Sequence, residues 1–305
     1  MTQFIEFVKK RLSDKFLMSD LGPFRYFLGL EVSSTPDGIY LTQEKYIHDL
    51  LSHAALTDHR TADTPMELGV QLRATDGEPL ADPTRYLHLV GSLVYLGITR
   101  PDISHAIHIL SQFVSAPTQL HYTHLLRVLR YLRGTCSRRL FFSRSSPLEL
   151  HAYSDATWAS DLSDRRSLSA YCVFLGSSLI AWKTKKQTTV SRSSAEAELR
   201  AMAAMAAEIT WLQWLLEDFS VMASTPTPLS SDSTGVLSIA RDPVKHELTK
   251  HIGVDASYMR SQVHDQIVAL HYVPSEFQLA DFFTKAQTKA QHIYFLSKLS
   301  VIDPP

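Results

Sequence analysis

The run LELHAYSDATWA, residues 148–159, alternates apolar and polar positions and reads as a strand carrying Asp155 near its end. Three later stretches belong with it. SSAEAELRAMAAMAAEITWLQWLLEDF (193–219) has the pattern of one long helix and carries Glu198 near its start. SSDSTGVLSIA (230–240) puts Asp232 between a short strand and a helix, and QLADFFTKA (278–286) puts Asp281 on a short helix late in the chain. A strand Asp, a helix Glu, a strand-end Asp and a late helix Asp form a cage suited to two magnesium ions. Such a pair clamps the attacking water and the leaving oxygen of a phosphodiester.

Working outward, three strands with short connections are expected from Arg139 to Gln187, then the long helix at about 194–218. A Ser/Thr/Pro stretch, Ala223–Pro228, leads to a further strand. Helices near 234–241 and 251–264, a strand at Ile267–Val273 and a helix from about 277 complete the half. The order β-β-β-α-β-α-α-β-α predicts an α/β fold. An antiparallel meander is extended by parallel strands into one mixed sheet, with helices on both faces. Sites in such sheets gather at strand ends near the topological switch.

The first half reads differently. Residues 1–19 have an amphipathic helical pattern (Phe4, Ile5, Val8, Leu12, Phe16). RYFLGLEVSS and GIYLTQ flank Thr35-Pro36-Asp37-Gly38, a turn sequence that predicts a hairpin. Helices are expected at 43–57, Pro83–Leu96, Pro101–Ser115 and Leu120–Arg133, with a polar loop from about Thr57 to Pro83. The expected division is a mainly helical unit over 1–138 and the mixed-sheet unit over 139–305, with no internal repeat.

Composition excludes several classes. With 305 residues, 45% apolar, two domains with sizeable cores are expected. No run of 18 apolar residues exists, so no membrane span is expected. Lys9, Lys10 and Arg11 precede no long apolar run, so no secretory leader is expected either. Cys136 and Cys172 are far apart, follow no metal-ligand spacing and give no disulfide framework; the last point fits a reducing compartment. The net charge of −1 gives no global signal for nucleic acid. Locally, Ile103–Leu148 lacks acids and holds six arginines, of which Arg127, Arg130 and Arg133 share a helix face. That face reads either as a phosphate-tracking helix or as an ordinary solvated one. Lys183, Lys185 and Lys186 beside Trp182, and Arg165 with Arg166 in the loop between the first two strands, read either as phosphate contacts or as a solvated hairpin edge. Trp211 and Trp214 are expected in the core of the long helix, and His105 and His108 as packing residues.

Taken together, YSDATWASD, DRRSLSAYCVFLGSSLIAWKTKKQTTVSRSSAEAELRAM, SDSTGVLSIARDP, TKHI and YVPSEFQLADFFTK resemble the ribonuclease H domain of copia-type LTR retrotransposon Pol polyproteins. LGPFRYFLGLEV, DTPM, DPTRYLHLVGSLVYLGITRPDISHAI and LLRVLRYLRGT resemble the segment that follows the reverse-transcriptase active site in the same polyproteins. The resemblance implies a ribonuclease H-like fold behind a reverse-transcriptase remnant of primer-grip-like hairpin and thumb/connection helices. It implies an endonuclease that hydrolyses the RNA strand of RNA–DNA hybrids with two Mg2+ ions, or Mn2+ as a substitute, and uses no small-molecule cofactor. Asp155, Glu198, Asp232 and Asp281 become the catalytic metal ligands. Glu196 lies in the same motif. Glu198 is preferred because the family's ligand precedes the apolar residue that opens the helix core, and the two glutamates point about 200° apart. Ser233 and His251 are further candidates.

The family's Tyr-x-Asp-Asp polymerase motif is absent, so the resemblance implies a truncated Pol fragment without polymerase activity, whose partners include the polymerase palm and fingers. It implies an intracellular location, in cytoplasmic particles or the nucleus. The loop before Asp281 lacks the histidine of bacterial and retroviral ribonucleases H, but copia-type elements commonly lack it, so its absence does not imply inactivity. Leu248, Gly253 and Asp255, by contrast, depart from the family's charged pattern, as in a decaying element. The alternative is therefore an inactive relic that at most binds nucleic acid. A transposase or integrase on the same fold would end its acidic series with Glu, whereas here Asp281 comes last.

Overall fold

The computed structural model describes residues 2–18, 22, 25–221, 226–241 and 253–303, the side chains of 2–5 excepted. The chain opens with α1 (Thr2–Ser13), then β1 (Tyr26–Phe27), β2 (Leu30–Ser34) and β3 (Gly38–Thr42). The β2–β3 turn closes as its sequence predicts, with the Thr35 amide donating to the Gly38 carbonyl at 2.8 Å. Glycine is required at position 38, because a Cβ there would lie 2.1 Å from the Phe142 carbonyl oxygen.

Four helices follow: α2 (Glu44–His53), α3 (Pro83–Leu96), α4 (Ser104–Ser111) and α5 (Gln119–Gly134). Asp82 caps α3 by accepting from the Arg85 amide at 3.1 Å, with proline at the first helical position. Thr118 and His121 cap α5 reciprocally. Ile47, Leu50, Tyr86, Leu93, Leu110, Leu125 and Leu129 bury the apolar stripes of these helices against one another. Residues 54–82 contain no helix or strand and wrap this bundle.

Next, β4 (Arg139–Ser143) pairs with β3, Tyr40 opposite Phe141. A division at residue 138 would send this strand to the second sheet. Its short apolar run suits either sheet, and the register with β3 decides.

The second sheet is built from β5 (Leu150–Thr157), β6 (Leu168–Leu175), β7 (Ser178–Lys186), β8 (Thr227–Ser231) and β9 (Val268–Tyr272), in the order β7-β6-β5-β8-β9. The first three form the antiparallel meander. β8 and β9 add in parallel, with Ala152 opposite Leu229 and Leu229 opposite Leu270. This is the expected mixed sheet, and α6 (Ser194–Asp218) runs as the sequence predicts. Together with α7 (Thr234–Arg241) and α8 (Gly253–His264), α6 covers one face through Leu199, Met202, Met205 and Ile209. The short α9 (Asp281–Thr284) and α10 (Lys289–Lys298) cover the other through Phe282, Phe283 and Phe295. After α10 the chain forms β10 (Val301–Ile302), which pairs with β4 in the first sheet.

Trp211 and Trp214 are not in the core: they are 52% and 62% exposed. The buried stripe of α6 runs through Met205, Ile209 and Leu212, and both tryptophans lie off it on a helix of 3.6 residues per turn.

A buried polar network joins the two units. Arg100 makes a bidentate pair with Asp102, at 2.9 and 2.7 Å, and donates to the Thr135 carbonyl and hydroxyl. The Tyr131 hydroxyl donates to Asp102 at 2.5 Å and meets Nε2 of His292, on α10, at 2.8 Å. Arg138 donates to the same hydroxyl. With the phenol proton directed to Asp102, His292 is the donor to Tyr131, as a neutral ring protonated at Nε2. Burial lowers the His292 pKa to about 4, which keeps that form.

Candidate active site

β5 is the switch strand, with an antiparallel neighbour on one side and a parallel one on the other. Asp155 lies near its carboxyl end, opposite Ala170, and is buried. Asp232 directly follows the carboxyl end of β8, the parallel neighbour. Both acids therefore emerge at the same edge of the sheet.

Glu198 enters from the first turns of α6. Ser193 caps that helix by accepting from the Glu196 amide at 3.1 Å. Glu196 holds the helix start, accepting from the Arg192 amide and the Arg200 guanidinium at 2.6 Å each. Glu198 points the other way, toward β5. Its carboxylate and those of Asp155 and Asp232 offer oxygens that all lie within 4.8 Å of one another. Asp281 opens α9, within hydrogen-bonding reach of Asp155. Gln278 positions it, donating to the Ser154 carbonyl at 3.1 Å and accepting from the Ala280 amide at 3.2 Å.

Burial raises the pKa of Glu198 to about 9, and the Asp155 and Asp232 charges add to the rise. Burial and Asp155 likewise raise Asp281 to about 7, against the opposing pull of Lys285. Lys285 ties the group together, 2.8 Å from Asp281 and 3.9 Å from Asp155. Thr284 donates its hydroxyl to Asp155, and Ser275 donates to Asp232 at 2.6 Å. Asp232 is thus held through its side chain by the β9–α9 loop. One Glu198 oxygen, Oε2, is buried without a hydrogen-bond partner. Crowded, partly unpartnered carboxylates are costly alone. They are a hard-oxygen donor set that fits Mg2+ or Mn2+.

Lys285, Thr284, Ser275 and Gln278 are contacts that sequence reading missed as participants. The signal for Lys285 was available: it stands four residues after Asp281, within reach on one helical face.

The basic candidates divide. Lys183 and Lys185 are exposed on edge strand β7, whereas Lys186 pairs with Asp161 at 2.5 Å and Asp164 at 2.8 Å. Arg166 is exposed beside Asp164. Arg165 is exposed with a left-handed backbone (φ 58°) and borders a cleft of about 490 Å³ that reaches Trp158, His108, Thr284 and Lys285. Ser233 adjoins Asp232, its amide donating to the Ser231 hydroxyl. His251 lies outside the described residues. The α5 arginines are not a free phosphate-tracking face. Arg127 pairs with Glu67 at 2.9 Å, Arg130 with Asp58 at 2.7 Å, and Arg133 with Asp58 at 3.4 Å. The acids missing nearby in sequence arrive from the wrapping loop, some 60 to 75 residues earlier.

The sheet order, with four acids at its switch point, defines a ribonuclease H-like fold. A family model for reverse transcriptase (RNA-dependent DNA polymerase) matches residues 1–68. The chain is 40% identical over 294 residues to the retrovirus-related Pol polyprotein from transposon RE1 of Arabidopsis thaliana, covering 96% of this chain and 20% of that protein. It is 31% identical over 287 residues to the Pol polyprotein from transposon TNT 1-94 of Nicotiana tabacum, covering 91% and 22%. With an uncharacterised mitochondrial protein of Arabidopsis thaliana it shares 42% identity over 201 residues, 66% of this chain and 83% of that one. The chain belongs to the copia-type retrotransposon Pol family and spans about a fifth of the first-matched Pol relatives.

Two solved structures are similar at lower levels. One is an N-terminal ribonuclease H domain from Mycobacterium tuberculosis (TM-score 0.33, 15% identity, 49% of this chain and 97% of that one). The other is the foamy viral protease-reverse transcriptase in complex with RNA/DNA hybrid (TM-score 0.49, 14% identity, 90% and 33%).

Proposed function

We propose that the chain is a divalent-metal-dependent endonuclease that hydrolyses the RNA strand of RNA–DNA hybrids. The observation that carries this reading is the convergence of Asp155, Glu198 and Asp232 oxygens within 4.8 Å at the switch end of the sheet, with a buried Glu198 oxygen left unpartnered. Asp281 would complete the ligand set. Two Mg2+ ions held there would lower the pKa of the attacking water and stabilise the leaving 3′ oxygen. Thr284 and Ser275 hold Asp155 and Asp232 in place. Lys285 offsets part of the charge of Asp281 and Asp155 in the free protein, a contact those acids would exchange for bound cations. Lys183 and Lys185, exposed on β7, would meet the hybrid's backbone. Exposed Phe7, Phe16 and Leu17 support a further partner, the polymerase palm and fingers of a longer Pol chain.

Cleavage of a hybrid labelled on either strand, with and without Mg2+, tests the activity. The expected result is Mg2+-dependent cutting of the RNA strand alone. A folded protein that binds the hybrid and never cuts it would leave the inactive-relic reading.

Two further outcomes are expected. Mg2+ at a hundred times its Kd should stabilise the fold by about 2.7 kcal/mol, seen as a melting temperature raised by several degrees. An unchanged melting temperature would argue against an ion at the carboxylates. Replacing Lys183 and Lys185 together by alanine should weaken hybrid binding and flatten its logarithmic salt dependence by about 2. Arg130→Ala should leave that slope unaltered, because its guanidinium is engaged with Asp58. The reverse pattern, measured by binding at several salt concentrations, would move the hybrid onto α5.

A further inference from the structure

A second constellation lies in the first unit, away from the four carboxylates. Glu44 and His48 stand one helical turn apart on α2 and share a face. Cys136 follows the end of α5, in the turn that leads into β4. Packing of Ile47 and Leu50 against the α5 core brings the three together. A Glu44 carboxylate oxygen, an imidazole nitrogen of His48 and the Cys136 sulfur all lie within 4.8 Å of one another.

We propose that Glu44, His48 and Cys136 form a binding site for a borderline-soft divalent cation of the zinc class. One sulfur, one nitrogen and one oxygen are the donors that such ions take. Three protein ligands leave the fourth tetrahedral position to water. His48 is exposed, so an ion has a route in, while Cys136 is half-buried against the helical core, so one side of the site is dry. Arg139 is the neighbouring cation. At 3.9 Å from the Glu44 carboxylate it makes a long contact that Glu44 can exchange for a bound ion. The hard-oxygen cluster around Asp155 selects Mg2+, and this site selects a softer ion, so the chain would carry two metal sites of opposite preference. A bound ion would clip α2 to the α5–β4 corner.

Co2+ titration of the whole chain tests the site independently of nuclease activity. A thiolate–Co2+ charge-transfer band is expected in the near ultraviolet, displaced by Zn2+. The other cysteine, Cys172, is fully buried in the second unit and should not contribute. Cys136→Ser should abolish the band while its circular dichroism stays that of the wild type. His48→Ala and Glu44→Gln should each weaken Co2+ binding at least about tenfold. Asp155→Asn should keep the band, which separates this site from the carboxylate cluster. Absence of the band, its survival in Cys136→Ser, or indifference to both His48→Ala and Glu44→Gln would overturn the proposal.

Discussion

Asp155→Asn is expected to reduce hybrid cleavage by about a thousandfold or more, equivalent to roughly 4 kcal/mol of transition-state stabilisation, without lowering the melting temperature of the metal-free protein. Asp155 is the hub of the carboxylate cluster: its charge contributes to the raised pKa of both Glu198 and Asp281. Asparagine has the same shape and can still accept the Thr284 hydroxyl, so local packing survives. It removes one negative charge from a crowded, partly buried group of carboxyls, which relieves repulsion when no cation is present. It also removes a ligand charge that cations need. Activity and metal-free stability should therefore move in opposite directions. Cleavage assays beside thermal melts in EDTA would reveal the split. Undiminished cleavage by the variant would sink the four-carboxylate assignment, and a large loss of stability would mean that Asp155 is mainly structural.

Arg100→Met is expected to destabilise the fold by about 3–5 kcal/mol, lowering the melting temperature by on the order of 10 °C. Arg100 and Asp102 are both essentially inaccessible, at 1% and 0% side-chain exposure. Removing the guanidinium strands the Asp102 carboxylate with only Tyr131 beside it. The double variant with Asp102→Leu should recover much of the loss, since no orphaned charge then remains. A double-variant melt as low as that of Arg100→Met alone would contradict this account. Burial raises the pKa of Asp102, but Arg100 outweighs it and holds the group at about 2, below its ordinary value. A depressed carboxylate pKa stabilises the fold above the unfolded value, near 3.8, and that contribution is lost as pH falls through about 2. The wild type should lose this contribution in that acid window, and the double variant should not.

Local patterns carried much of the fold. The Pro-Asp-Gly turn, the cap before Pro83 and the apolar stripe of α6 are each written within a few residues, and each element forms where expected. Four acids on a strand, a helix start, a strand end and a late helix were recognisable because their order and motifs travel together. What stayed hidden depends on residues far apart in sequence. The partners of Arg130 and Arg133 come from residue 58, and one partner of Tyr131, His292, is 161 residues away. Trp211 and Trp214 lie off the stripe of Met205, Ile209 and Leu212 that α6 buries, and which stripe is buried is set by the packing of α6 on the sheet. The sheet that β4 joins depends on its register with β3. Lys285 was visible in the motif, but its role emerges only once Asp155 and Asp281 are neighbours.

The return of β10 to pair with β4 has a mechanical consequence. Everything from β5 to α10 is an insertion between two adjacent strands of the first sheet, entered and left at nearly the same place. Severing the backbone in the turn at Ser145–Ser146 should yield two fragments that still copurify, because β10 and the Tyr131–His292 contact bridge the cut. The β4–β10 pairing and the buried Tyr131–His292 contact both hold the insertion against the first unit, and both would have to break for it to swing away. The span from the β2–β3 hairpin to the four carboxylates is accordingly a fixed ruler along any duplex that touches both.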